Sequence, residues 1–172
     1  MKIFLKIVTI LLLMYFVNTS HGQTFWGNTK SGMSVEAVRS ILPSAMTPDK
    51  PKTLNGSTEL LRLEGITLLG EKYTSSFYFK NKKLLQVSLL LKKDRKFDQL
   101  LDVFNELFGA LSIKYGMEIS KKIEKNEIAG NAEATWISGR TNITLFTTAV
   151  GDFDGFLSIV YQTRIADASD NL

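Results

Sequence analysis

Two periods of hydrophobic spacing divide this chain. From Arg95 to Tyr115, Phe97, Leu100, Leu101, Phe104, Leu107, Phe108 and Leu111 recur at intervals of three and four. That spacing predicts one wide apolar stripe on a helix of about five turns. Gly116 stands where a helix ends, and Gly109 weakens the interior. A shorter helix is predicted after Ser34, a good N-cap. Glu36 sits in its first turn, where the helix dipole favours an acid. Val35, Val38, Ile41 and Leu42 mark its apolar face, and Pro43 stops it.

Elsewhere the period falls to two. Tyr73 to Lys80 alternates Tyr73, Ser75, Phe77 and Phe79 with Thr74, Ser76, Tyr78 and Lys80. Around it lie a candidate strand from Glu59 to Leu69, interrupted at Gly65, and the more apolar Leu84 to Lys92, expected to be central. Asn81 suits the positive backbone angle of a tight hairpin. After the long helix, strands are predicted over Ala132 to Ser138, Asn142 to Val150 and Phe156 to Arg164. Gly139-Arg140 and "GDFDG", Gly151 to Gly155, supply the turns. Pro48, Pro51, Asn55 and Gly56 mark the segment from Ser44 to Thr58 as a loop.

The predicted order is α-β-β-β-α-β-β-β. Antiparallel strands joined by short turns and covered by helices on one face make a two-layer α+β sandwich. The repeated order suggests an internal duplication with units near 33–92 and 95–164, although the halves share little direct identity.

The ends have another composition. Two lysines in Met1 to Lys6, an unbroken apolar run from Ile7 to Val17, and Ser20-His21-Gly22 form the pattern of a secretory signal peptide, with cleavage expected between Gly22 and Gln23. The run is too short for a spanning helix, which needs roughly 20 residues, so no membrane anchor is expected in the mature chain. A single domain is expected over 23–165 and a fraying tail over 166–172. The expected location is a bacterial periplasm or the extracellular space. Removal of Lys2 and Lys6 turns 21 basic against 17 acidic side chains into 19 against 17, and the net charge falls from +4 to +2. With the remaining lysines spread around turns, no nucleic-acid face is expected.

Candidate chemistry is bounded mainly by exclusion. The chain has no cysteine, and its one histidine, His21, lies in the expected signal segment. A mature chain without either type has no Ser-His-Asp or Cys-His nucleophile and none of the thiolate or imidazole ligands typical of zinc. Glu59, Glu64, Glu71, Glu106, Glu118, Glu124, Glu127 and Glu133 offer carboxylates, but no spacing singles out a catalytic pair. No cofactor, metal or enzymatic activity is expected.

"GMSVEAVRSILP" resembles the opening of small exported bacterial proteins of the outer-membrane assembly lipoprotein (SmpA/OmlA) and β-lactamase-inhibitor-like group, through Gly32, Met33, Ser34 and Val38. "LSIKYG", with Lys114, Tyr115 and Gly116, is similar to the end of the long helix in periplasmic relatives. The resemblance implies a helix-plus-sheet module that binds other envelope proteins. This chain departs from the group in having neither a lipobox cysteine nor the inhibitors' stabilising cysteines.

The candidate partner contacts are Tyr78 and Lys80, on a predicted polar face, and the turn residues Asp152, Phe153 and Asp154. The two aspartates alternate, yet too few oxygens accompany them for a calcium loop. Trp26, Trp136, Tyr73 and Tyr161 are expected to close the core. The function expected is binding of an envelope or secreted protein, as an envelope factor or an inhibitor. The alternative is a small-ligand or lipid carrier using the groove between the long helix and the sheet.

Overall fold

The computed structural model describes residues 23–92, 95–151 and 154–164. The expected signal segment, the tail from 166 and the pair Asp152-Phe153 lie outside them. After a 3-10 turn at Trp26–Asn28, helix α1 (Val35–Ile41) leads into four strands, β1 (Thr53–Leu54), β2 (Ser57–Leu68), β3 (Glu71–Lys80) and β4 (Lys83–Lys92). Helix α2 (Phe97–Tyr115) leads into four more, β5 (Ser120–Lys125), β6 (Ala129–Ser138), β7 (Thr141–Val150) and β8 (Asp154–Thr163). All eight form one antiparallel sheet in the order β1-β2-β3-β4-β8-β7-β6-β5.

This corrects the predicted two-layer α+β sandwich of six strands. The sheet is a single curled half-barrel, and its two helices do not make a second layer. Helix α1 has seven residues and buries only Val38, whereas α2 packs on β6, β7 and β8. The two strands missing from the prediction lack a hydrophobic pattern: β1 has two residues, and β5 is exposed along its whole length. Pairing of β4 with β8 joins the two meanders edge to edge. Register shifts within β2, between Glu59 and Leu61 and between Leu63 and Ile66, and another at Tyr78/Phe79 add local twist to the curl.

The local signals act as their chemistry dictates. Ser34 Oγ accepts the Ala37 N–H at 3.2 Å, capping α1. Asn81 and Lys82 both take positive φ in the β3–β4 hairpin. Gly116, at φ 84°, follows the last turn of α2. Arg95, just before α2, reaches Glu71 at the start of β3 at 2.7 Å.

Helix α2 is seated on a graded surface. Cross-strand pairing places Gly130, Ala149 and Gly155 in one row across β6, β7 and β8, and Trp136, Ile143 and Tyr161 in a row near the other end. The small row accepts the first helical turn. A Cβ at Gly130 would lie 2.2 Å from the Phe97 ring, and one at Gly155 would lie 2.4 Å from Leu100 and 2.8 Å from the Arg95 carbonyl. The large row meets the end of the helix: Phe108 lies 5.5 Å from Trp136, and Tyr115 lies 6.4 Å from Tyr161, between ring centroids. Gly130→Ala should therefore lower the unfolding free energy by about 1–3 kcal/mol through overpacking, measurable by urea denaturation. Alanine at the exposed helix position Gly109, where a Cβ meets nothing within 4 Å, should stabilise instead.

Candidate functional site

Alternation along the strands divides the sheet into two sides. Leu61, Tyr73, Phe77, Leu89, Ala134, Leu145, Leu157 and Ile159 form one hydrophobic core with Val38 of α1 and with Phe97, Leu100, Phe104, Leu107 and Leu111 of α2. These helical side chains are buried in the space between α2 and the sheet, so a small ligand carried there would have to displace them.

The opposite side carries the other half of each alternation. The pairing registers place Thr74, Ser76 and Tyr78 of β3 beside Leu90, Ser88 and Gln86 of β4. Beyond these come Ser158, Val160 and Gln162 of β8, then Phe146, Thr144 and Asn142 of β7. Phe156 lies opposite Thr148. None of these residues is charged, but the same registers set Glu133 of β6 opposite Phe146 and Lys92 of β4 opposite Phe156. At the centre Ser88 and Ser158 are hydrogen-bonded at 3.2 Å. Phe146 and Phe156, both half-buried, form an edge-to-face pair with ring centroids 5.3 Å apart. They do not belong to the helix-side core.

Of the predicted contact residues, Tyr78 does lie with Ser76 on this side, but it is buried at 7% exposure and is not an exposed tyrosine. Its neighbours explain that. Glu59, fully buried, accepts hydrogen bonds from Arg62 Nε at 2.8 Å and an Arg62 terminal nitrogen at 2.7 Å, from Ser76 Oγ at 2.6 Å, and from the Lys52 backbone N–H at 3.2 Å. Glu59 and Tyr78 are also cross-strand partners. Burial pushes the Tyr78 phenol up, and the Glu59 charge adds to the effect. Lys80 is exposed at the end of β3. Asp154 opens β8 opposite Val150, while Asp152 and Phe153 fall outside the described residues. Trp136, Tyr73 and Tyr161 are core residues on the helix side, as aromatic closure of the core predicts.

Sequence reasoning passed over Phe146 and Phe156 because large apolar residues in a strand read as core. The signal was present nonetheless: Asn142, Thr144 and Thr148 share the parity of Phe146. No group of three or more His, Cys, Asp or Glu able to hold a metal converges among the described residues. No helix among them is long and apolar enough to cross a membrane.

The fold and this side define an antiparallel half-barrel whose face away from α2 is open, with Ser76, Gln86 and Ser158 buried in it and charged residues, Glu133 and Lys92, opposite its two phenylalanines. No protein-family model, curated protein or solved structure matches the chain.

The Glu59 cluster has a titration signature. Burial alone would raise the carboxyl, but the bonds from Arg62, Ser76 and Lys52 outweigh it and hold Glu59 below the ordinary 4.5. A depressed folded value means stability fully present above pH 4.5 and lost as pH falls toward the folded value. Glu59→Gln should remove that part of the acid dependence. At neutral pH it should cost about 1–3 kcal/mol, less than for a fully buried pair because Arg62 retains solvent contact. Urea unfolding across pH 3–7, an acid-to-neutral range chosen to bracket the carboxylate transition, checks both effects.

Proposed function

We propose that this is an exported, non-enzymatic protein that works by binding another protein through the open face of its sheet. The observation carrying this reading is the half-buried Phe146–Phe156 pair, which has Ser158, Thr144 and Thr148 on one side and Glu133 and Lys92 as its cross-strand neighbours at the margin. Aromatic anchors with adaptable polar neighbours and few charges are the composition of protein-binding surfaces. Such a face lies across rigid, hydrogen-bonded strands, so little conformational freedom is lost on contact. The leader-like first 22 residues and the resemblance of "GMSVEAVRSILP" to exported envelope proteins support a periplasmic or secreted setting and an envelope or secreted protein as the partner. Lys80, exposed at the end of β3, then stands where charges belong on the rim of such a contact.

The test is capture by the full chain, tagged at its C-terminus and expressed in an exporting bacterial host. The wild type should retain a stoichiometric protein partner. Phe146→Ala/Phe156→Ala should weaken that complex by about 30-fold or more, as loss of central anchors does, while the far-ultraviolet circular dichroism is unchanged. Val160→Arg, which puts a charge between the uncharged Ser88 and Thr144, should do the same. A complex indifferent to all three changes, or catalytic turnover that disappears with one carboxylate, would overturn this reading.

A further inference from the structure

The sheet has two edges of different kinds. At one, β1 offers two residues. At the other, β5 offers six, and among the described residues no strand lies beside β5 on the side away from β6. The hydrogen-bond alternation shows which groups face out. Asn126 N–H donates to the Ala129 carbonyl at 2.9 Å. With the β5–β6 register, the ladder then bonds Glu124, Lys122 and Ser120 to β6. Lys121, Ile123 and Lys125 therefore turn their N–H and C=O groups outward.

Edge lysines usually protect a sheet from other strands. Here each has a position within the chain. Lys121 Nζ lies 3.7 Å from the centre of the Phe108 ring, and Lys125 reaches both carboxylate oxygens of Asp98 at 2.6 and 2.8 Å. Lys122 and Glu124 are ion-paired at 2.8 Å on the other side of the strand. What remains is a row of outward backbone groups centred on Ile123.

We propose that β5 pairs antiparallel with β5 of a second copy about a twofold axis at Ile123, making one continuous sheet across a homodimer. Three registers let outward groups meet outward groups near this centre. Displaced two residues one way, Lys122 faces Lys122; displaced the other way, Glu124 faces Glu124. Only the register centred on Ile123 sets Lys122 of each copy against Glu124 of the other, twice by symmetry. Ile123 then meets Ile123, and Lys121 exchanges backbone bonds with Lys125, whose charge Asp98 already balances. The same register brings the turn bearing Ile128 against the Met117–Ile119 stretch of the second copy. This gives partners to large apolar residues otherwise left in water, Met117 at 88%, Ile119 at 62%, Ile123 at 45% and Ile128 at 72% exposure.

The experiment is sedimentation equilibrium on the full exported chain and on charge variants of β5. The wild type should be a dimer. Lys122→Glu and Glu124→Lys should each weaken it by about tenfold or more, because each creates two like-charge pairs. The double exchange should restore it, and an equimolar mixture of the two single variants should form the heterodimer. Ile123→Pro removes an N–H that the chain itself does not use, and should leave a folded monomer. A wild type monomeric at its highest soluble concentration would overturn the proposal. So would a dimer indifferent to the charge variants, including one joined through another surface.

Discussion

The graded row of side chains under α2 is the constraint from which the rest of the molecule follows. Across β6, β7 and β8 the helix side passes from Gly130–Ala149–Gly155, through Ala132–Thr147–Leu157 and Ala134–Leu145–Ile159, to Trp136–Ile143–Tyr161. The first row leaves space for the Phe97 ring at a Cβ-less backbone, and the last fills the same interval with large rings of its own. A rigid helix of 19 residues can satisfy both rows in only one direction and at one height, because protein interiors tolerate neither overlap nor void. The seat thus fixes which side of the sheet is closed, and with it which side is left open.

That division explains why much of the fold was legible and where legibility stopped. The three-four spacing of Phe97 to Leu111 is a property of one helix and needs no knowledge of its partner. The Ser34 cap, the Asn81 hairpin and the Gly116 stop are local chemistry as well. The union of two meanders through β4 and β8 is not local. "LLQVSLLL" is apolar enough to lie centrally, but nothing in it says that the strand beyond β4 comes from the far end of the chain. The curl depends on bulges, and a bulge shifts the alternation by one residue without marking it. Strand β5, "SKKIEK", failed for the opposite reason: a strand with one side on solvent and a free edge needs no hydrophobic alternation.

The candidate site was legible in parity and obscure in exposure. The alternation of Tyr73 to Lys80 correctly put Tyr78 with Ser76, yet exposure is decided by cross-strand neighbours. Those neighbours are Glu59 and Gln86. Glu59 itself illustrates why a buried carboxylate is not thereby a catalyst. Its bonds from Arg62, Ser76 and Lys52 stabilise the anion, lowering its affinity for a proton. A general base working near neutrality needs that affinity raised; these bonds instead tie β2 to β3 and to the segment before it.

The open face and the β5 edge use different atoms and do not compete. Strand pairing is made by backbone groups lying in the sheet, whereas side chains of the open face project across it. A dimer joined through β5 therefore leaves Phe146 and Phe156 uncovered on each copy. The two faces become parts of one continuous sheet held at a fixed separation by hydrogen bonds. For a partner with repeated or symmetric sites, the second contact then forms within an existing complex, and its strength is set by local concentration instead of by a new interface. Modest affinity at one face is compatible with tight retention by two, provided the spacing of the partner's sites matches that fixed by the paired strands.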